Sequence, residues 1–212
     1  MLCNVGLATG FLNNMIKLPV MPENSREITI IGFGASLRKG SYNKMLLKEA
    51  QRLMPENSKL EIADISGIPL YNEDADNENN SYIVNFRESV KKSDGFIIAT
   101  PEYNYSIPGF LKNAIDSVSK PPDKNPFAGK AGVIMSASLG MLGGSRAQYH
   151  LRQVLTALDA RLINRPEVFI NFAGTKFDKD GHLTDEIAVK FITELLQKLI
   201  KEVKLERAMI ET

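Results

Sequence analysis

Ile28-Thr29-Ile30-Ile31-Gly32-Phe33-Gly34-Ala35-Ser36-Leu37-Arg38-Lys39-Gly40-Ser41-Tyr42-Asn43 runs from an apolar, β-branched stretch straight into a polar loop and a helix start. Residues 28–32 have the composition of a strand buried on both faces, as in the centre of a parallel sheet. Asn43 can cap the helix that follows. Its apolar residues Met45, Leu46, Ala50, Leu53 and Met54 approximate one face, and Pro55 helps to stop it.

The same strand-then-helix alternation recurs downstream. Strands are expected at residues 59–64, at Phe96-Ile97-Ile98-Ala99-Thr100, at Gly132-Val133-Ile134-Met135-Ser136 and around 161–169. Helices are expected over about 82–93, 110–119, from the turn at 140–144 to near Leu158, and over 185–203. Right-handed crossovers leave few arrangements of such a chain. The pattern therefore predicts an α/β, flavodoxin-like three-layer sandwich: a five-stranded parallel sheet in the order 2-1-3-4-5 with helices on both faces. The segment 121–126 is too short to separate domains, so residues 26–212 read as one domain behind a flexible extension of residues 1–25.

In that order the connections leaving strands 1 and 3 diverge to opposite faces and open a crevice where ligands of open α/β sheets bind. Two of the least generic segments fall there. In the first, Ser36 and Ser41 offer hydroxyls, Arg38 a planar charged fork, and Gly40 close backbone approach. The helix start adds free N–H groups and a positive dipole end, so the loop suits a terminal phosphate. Neither P-loop spacing nor a complete dinucleotide fingerprint is present, since Leu37 occupies the third glycine position. On residue types alone, a polar turn capping a helix is the competing reading.

The second segment, Pro101-Glu102-Tyr103-Asn104-Tyr105-Ser106-Ile107-Pro108, joins aromatics to amide groups after a buried strand. Tyr103 and Tyr105 can pack beside a flat ring while Asn104 and backbone N–H groups meet its polar edge. A rigid surface turn with the tyrosines covering core serves equally well. In a third loop, 136–144, Ser138 can contact the ring and glycines including Gly140 let backbone approach it, a weak signal alone.

Together, Gly34-Ala35-Ser36-Leu37-Arg38-Lys39-Gly40-Ser41-Tyr42-Asn43, residues 101–119 and residues 143–160 resemble the NADPH-dependent FMN reductase family, particularly its quinone and chromate reductase branch. The last stretch contains Arg146-Ala147-Gln148-Tyr149-His150-Leu151-Arg152-Gln153-Val154-Leu155. The resemblance implies a tightly bound FMN, NADPH or NADH as co-substrate, and a homodimer or homotetramer with flavin sites near subunit interfaces. By position, Ser36, Leu37, Arg38, Lys39, Gly40, Ser41, Tyr42 and Asn43 would surround the phosphate. Pro101, Glu102, Tyr103, Asn104 and Tyr105 would border the isoalloxazine, with Ser138 and Gly140 nearby. Ala35 departs from the family pattern as an extra residue before Ser36.

The implied reaction is ping-pong transfer from NAD(P)H to quinones, with chromate, azo compounds or free flavin as further acceptors. The flavin supplies that chemistry, so no catalytic side chain is nominated. A flavodoxin-type electron carrier and a non-enzymatic interaction protein are the alternatives on this fold. Such carriers are often strongly acidic, whereas this chain of 212 residues has a formal net charge of +1. That balance gives no reason to expect nucleic acid or a membrane surface as partner.

No apolar run is long enough to span a bilayer, and residues 1–20 lack the basic region and cleavage site of a signal. A lone Cys3 excludes an internal disulfide and fits a reducing, cytoplasmic setting. His150 and His182 lie apart, so no metal set is expected. Asp74, Asp76 and Glu78 imitate a calcium loop, but Asn79 and Asn85 replace its glycine and glutamate. Met135, Met141 and Leu142 read as packing residues.

Overall fold

Side chains along β1 (Ile28–Gly34) alternate between two apolar layers: Ile28 and Ile30 enter one, Ile31 and Phe33 the other. A strand with two buried faces needs helices on both sides. In the computed structural model, which describes residues 26–75 and 77–210, those helices follow in order. The chain continues through α1 (Tyr42–Arg52), β2 (Ser58–Ala63), α2 (Ser81–Lys92), β3 (Gly95–Ala99), α3 (Gly109–Ser119) and β4 (Ala131–Ala137). It closes with α4 (Ser145–Ala157), β5 (Arg161–Leu162), β6 (Val168–Ile170) and α5 (Glu186–Ile210). The expected extension, residues 1–25, lies outside the described residues, as does Asp76.

The sheet is parallel throughout, in the order β2-β1-β3-β4-β5, as the alternation predicts. One layer packs Leu46 and Leu47 of α1 and Ile192, Leu196 and Leu199 of α5 on Ile30, Ile97 and Val133. The other packs α2, α3 and α4 on an aromatic centre of Phe33, Phe86, Phe96 and Phe127. Among the described residues no helix is long and apolar enough to cross a membrane.

Three boundaries differ from expectation. The fifth strand is two short pieces, both on β4: Arg161 and Leu162 pair with Ala131 and Gly132, then Val168 to Ile170 with Met135 to Ala137. Pro166 lies between them and has no N–H to give a ladder. Helix α5 runs on past Val203 to Ile210. Apolar periodicity cannot signal that end, because Arg207 holds it through polar contacts, with Arg26 O at 2.6 Å and Asp94 Oδ2 at 2.7 Å.

The third difference is the cap of α1. Ser41, not Asn43, has the extended backbone of an N-cap and accepts from Lys44 N at 3.4 Å. Asn43 sits in the first turn, buried. Its amide nitrogen donates to Ala137 O at 2.8 Å, and its oxygen accepts from Ala137 N at 2.9 Å. The side chain thus completes the ladder at the end of β4. Asn43→Ala would strand both backbone groups of Ala137 in the interior. The expected cost is about 2–4 kcal/mol, measured by urea unfolding.

At the opposite end of the sheet, Asp94 accepts from Thr29 N at 2.8 Å and pairs with Arg207 and Arg26. Burial alone would raise its carboxyl pKa, but the bonds from Arg207 and Thr29 and the two arginine charges outweigh burial and hold it low. A pKa lowered in the folded state stabilises above the unfolded value and loses that contribution as pH falls through the folded one. Stability should therefore decline as pH drops below about 4. In Asp94→Asn the same urea series should show a shallower decline.

Candidate active site

Strand β1 hands the chain to α1 on one face, and β3 hands it to α3 on the other. The divergence expected at the carboxyl ends of these neighbours is therefore present. Ala35 continues the ladder, with its N–H on Ala99 O at 2.9 Å and its methyl group in the layer of Ile31 and Phe33. The residue that departs from the family pattern is absorbed as one more strand position. The loop begins at Ser36.

Ser36 and Ser41 are buried, while Leu37, Arg38, Lys39 and Gly40 are exposed. Among the described residues no protein acceptor takes the N–H groups of Leu37, Arg38, Lys39, Gly40, Tyr42 or Asn43. These donors cluster at the positive end of α1. A Cβ built on Gly40 meets nothing within 4 Å, and its backbone is not left-handed. The fold itself does not demand glycine there, and the backbone is left open to close approach. Arg38 stays beside the loop, with Nη2 donating to Gly40 O at 2.9 Å and the guanidinium 5.8 Å from the Tyr42 ring centre. A cavity of about 320 Å³ flanks the loop towards β2, lined by Ser36, Leu37, Lys44, Asp64, Ser66 and Phe110 among others.

After β3 the chain makes a two-residue hairpin. Tyr103 N donates to Ser106 O at 2.9 Å and Ser106 N to Tyr103 O at 3.0 Å. The tip residues Asn104 and Tyr105 have φ of 49° and 68°. Both signs are those of a type I′ turn. Asparagine tolerates this region, but a tyrosine there is strained by roughly 1–3 kcal/mol. Tyr103, Asn104 and Tyr105 are exposed, and Pro101 is half-buried.

Glu102, expected beside the ring, turns its carboxylate to the first turn of α4. It accepts from Arg146 Nε at 2.6 Å and Arg146 N at 3.2 Å. The Arg146 guanidinium in turn lies 3.6 Å from the Tyr105 ring centre. One turn further along α4, His150 Nδ1 is 3.0 Å from Ser106 Oγ. Sequence reasoning assigned Arg146 and His150 no role. Their spacing of four on a predicted helix was the available signal.

The third loop carries Ser138, half-buried, whose Oγ accepts from Gly140 N at 3.2 Å and whose O accepts from Ala173 N at 3.0 Å. Gly143 and Gly144 have φ of 59° and 89°, and a Cβ on either would come within 2.9 Å of Phe169 or Ser136 atoms. Those two glycines answer to packing, not to a ligand. Met135 is buried as expected, but Met141 (69% exposed) and Leu142 (44%) are not packing residues. They are free to face solvent because their loop, pinned by the two tight glycines, stands clear of the core. With Leu37, Leu139, Tyr103 and Phe172 they give this end of the sheet an apolar rim.

The remaining candidates have structural roles. Glu78 pairs with Arg87 at 3.3 Å and with Lys124. Its neighbour Asp76 is outside the described residues. His182 belongs to a turn in which its N–H meets Asp178 Oδ1 at 2.9 Å. Among the described residues no three metal-ligating side chains converge.

The geometry therefore offers backbone donors for a compact anion on one side and an aromatic, amide-bearing hairpin on the other. Comparison with known proteins bears on what fits it. The family described as NADPH-dependent FMN reductase matches residues 28–175. The chain is 49% identical over 182 residues to the NAD(P)H-dependent FMN reductase PA1204 of Pseudomonas aeruginosa, covering 82% of this chain and 95% of that one. It is 40% identical over 177 residues to the quinone reductase of Escherichia coli K12, covering 82% and 92%. Among solved structures, FerB, a flavoenzyme NAD(P)H:(acceptor) oxidoreductase from Paracoccus denitrificans, aligns with a TM-score of 0.77 at 29% identity, covering 84% and 97%. On sequence and fold together, this chain belongs to the NADPH-dependent FMN reductase family.

Proposed function

We propose that the protein is an FMN-dependent NAD(P)H oxidoreductase that passes electrons to quinones by a ping-pong route. The observation that carries this reading is the run of N–H donors around the open Gly40 that take no acceptor among the described residues, on the loop that leaves β1 beside the strand, β3, that leads into the Tyr103–Tyr105 hairpin.

In this reading Ser36, Leu37, Arg38, Lys39, Gly40, Ser41, Tyr42 and Asn43 hold the FMN phosphate, Asn43 through its backbone because its side chain is engaged by Ala137. Pro101, Glu102, Tyr103, Asn104 and Tyr105 border the ring system, with Ser138 and Gly140 beside it. When bound, FMN supplies the redox chemistry: NAD(P)H and a proton become NAD(P)+ as a quinone becomes its hydroquinone. The protein's own groups bind, orient and shield; none is required to move a proton. The apolar rim of Leu139, Met141, Leu142 and Phe172 suits a flat, uncharged acceptor. Chromate, azo compounds and free flavin are further acceptors in this reading. The acting form is a homodimer or homotetramer of a single domain, residues 26–212, in the cytoplasm, with no nucleic acid or membrane as partner. The relatives' names, FMN reductase and quinone reductase, support the same activity.

Purified protein should take up FMN with a visible flavin spectrum and oxidise NAD(P)H many times over only when a quinone is supplied. Flavin uptake without turnover would favour an electron carrier, and neither flavin nor turnover would sink the reading. Arg38→Ala should weaken FMN binding about tenfold, the scale of one lost charge-assisted hydrogen bond. It should leave riboflavin, which lacks the phosphate, unaffected. Fluorescence titration of both flavins reads the difference.

A further inference from the structure

We propose that Arg146 is a positioning residue: from α4 it clamps the 102–106 hairpin in its strained form, so that the wall of the ring site is set before a flavin arrives. The proposal rests on the flavin reading above but concerns a residue that touches the loop, not the ligand.

The hairpin is tied to one end of α4 at its start, tip and close. At its start, Glu102 takes the Arg146 side chain and the helix N–H of the same residue. At its tip, the strained Tyr105 lies under the Arg146 guanidinium. At its close, Ser106 meets His150, one turn along the same face of the helix. Only Arg146 reaches two of these points. Its partner carboxylate is 9% exposed, so losing the arginine leaves a nearly buried charge unpaired beside the hairpin.

The platform behind the clamp is itself fixed. Ser136 Oγ donates to Gly143 O at 2.6 Å and accepts from the buried Gln148 at 2.7 Å. The start of α4 therefore cannot drift with the loop, and the loop must follow the helix. The Tyr103–Ser106 bonds close the hairpin, but Tyr105 is 67% exposed, and the Arg146 guanidinium over its ring is the side-chain contact that holds it in the left-handed region.

Two measurements test this. In flavin-free protein, amide exchange at Tyr103 and Ser106, which bond each other across the hairpin, should be about tenfold faster in Arg146→Ala than in wild type. In the same variant FMN and riboflavin should both bind about tenfold more weakly, with a shifted visible flavin spectrum, because the ring wall and not the phosphate cradle is altered. Arg146→Lys should recover part of each effect. Glycine adopts the tip conformation without strain, so in a Tyr105→Gly background Arg146→Ala should change flavin affinity little. Unchanged exchange, faster exchange with unchanged affinity, or equal effects in both backgrounds would each overturn the clamp. A wild-type protein that binds neither flavin would instead overturn the flavin reading, and the exchange rates would then judge the clamp alone.

Discussion

The paired hydrogen bonds between the Asn43 amide and the backbone of Ala137 hold the rest of the site in place. Helix α1 leaves β1 and crosses the sheet, so its first turn arrives over the end of β4. There the strand runs out of ladder partners on that side. An asparagine side chain, which carries one donor and one acceptor arranged like a peptide, is the residue type that can stand in for a missing rung. Inside the fold these bonds have no competition from water, and losing either end leaves a buried polar group unpaired. The consequence for function is indirect but large. Asn43 fixes the start of α1 to β4, and the N–H groups of the loop ahead of it take no acceptor among the described residues.

That openness separates two kinds of glycine in one site. Gly143 and Gly144 are left-handed, and a side chain on either would strike Phe169 or Ser136. Their presence is explained by the chain alone. Gly40 has neither constraint, and its missing side chain faces empty space. A glycine that packing does not require leaves the backbone there open to close approach. The same distinction applies to strain. Tyr105 is held where tyrosine is unfavourable, and the contacts that hold it come from Arg146, not from the core.

The central sheet was legible because parallel strands buried on both faces leave continuous apolar runs, and the order followed from where the unusual loops fell. The loop after β1 was legible as a polar turn at a strand end leading into a helix, which is where the structure has it. What could not be read depended on partners distant in sequence. Ser41 and Asn43 are both good caps, and the choice between them is made by Ala137, 94 residues away. The end of α5 rests on Arg207 meeting Asp94 and the carbonyl of Arg26, contacts that leave no periodicity behind. The break between β5 and β6 did carry a local sign, Pro166, which a continuous strand from 161 to 169 passed over. Met141 and Leu142 were misjudged because apolar residues after a strand usually pack, and only the loop's path shows that these do not.

Charge completes the division of the site. Arg38 and Lys39 are exposed and, among the described residues, have no ion-pair partner. With the helix end they make the loop of residues 36–43 locally cationic in a chain whose formal net charge is only +1. Arg146, by contrast, has its charge answered by Glu102 at 2.5 Å. The hairpin side therefore presents aromatic faces and amides with little net charge. An anion at one end would replace water on donors that have no protein acceptor to give up, so charge-assisted bonds would offset their desolvation. A flat, uncharged molecule meets the other end without a bare charge to bury. A phosphate-bearing ring cofactor needs that pairing of ends, and a neutral acceptor needs the second end left apolar.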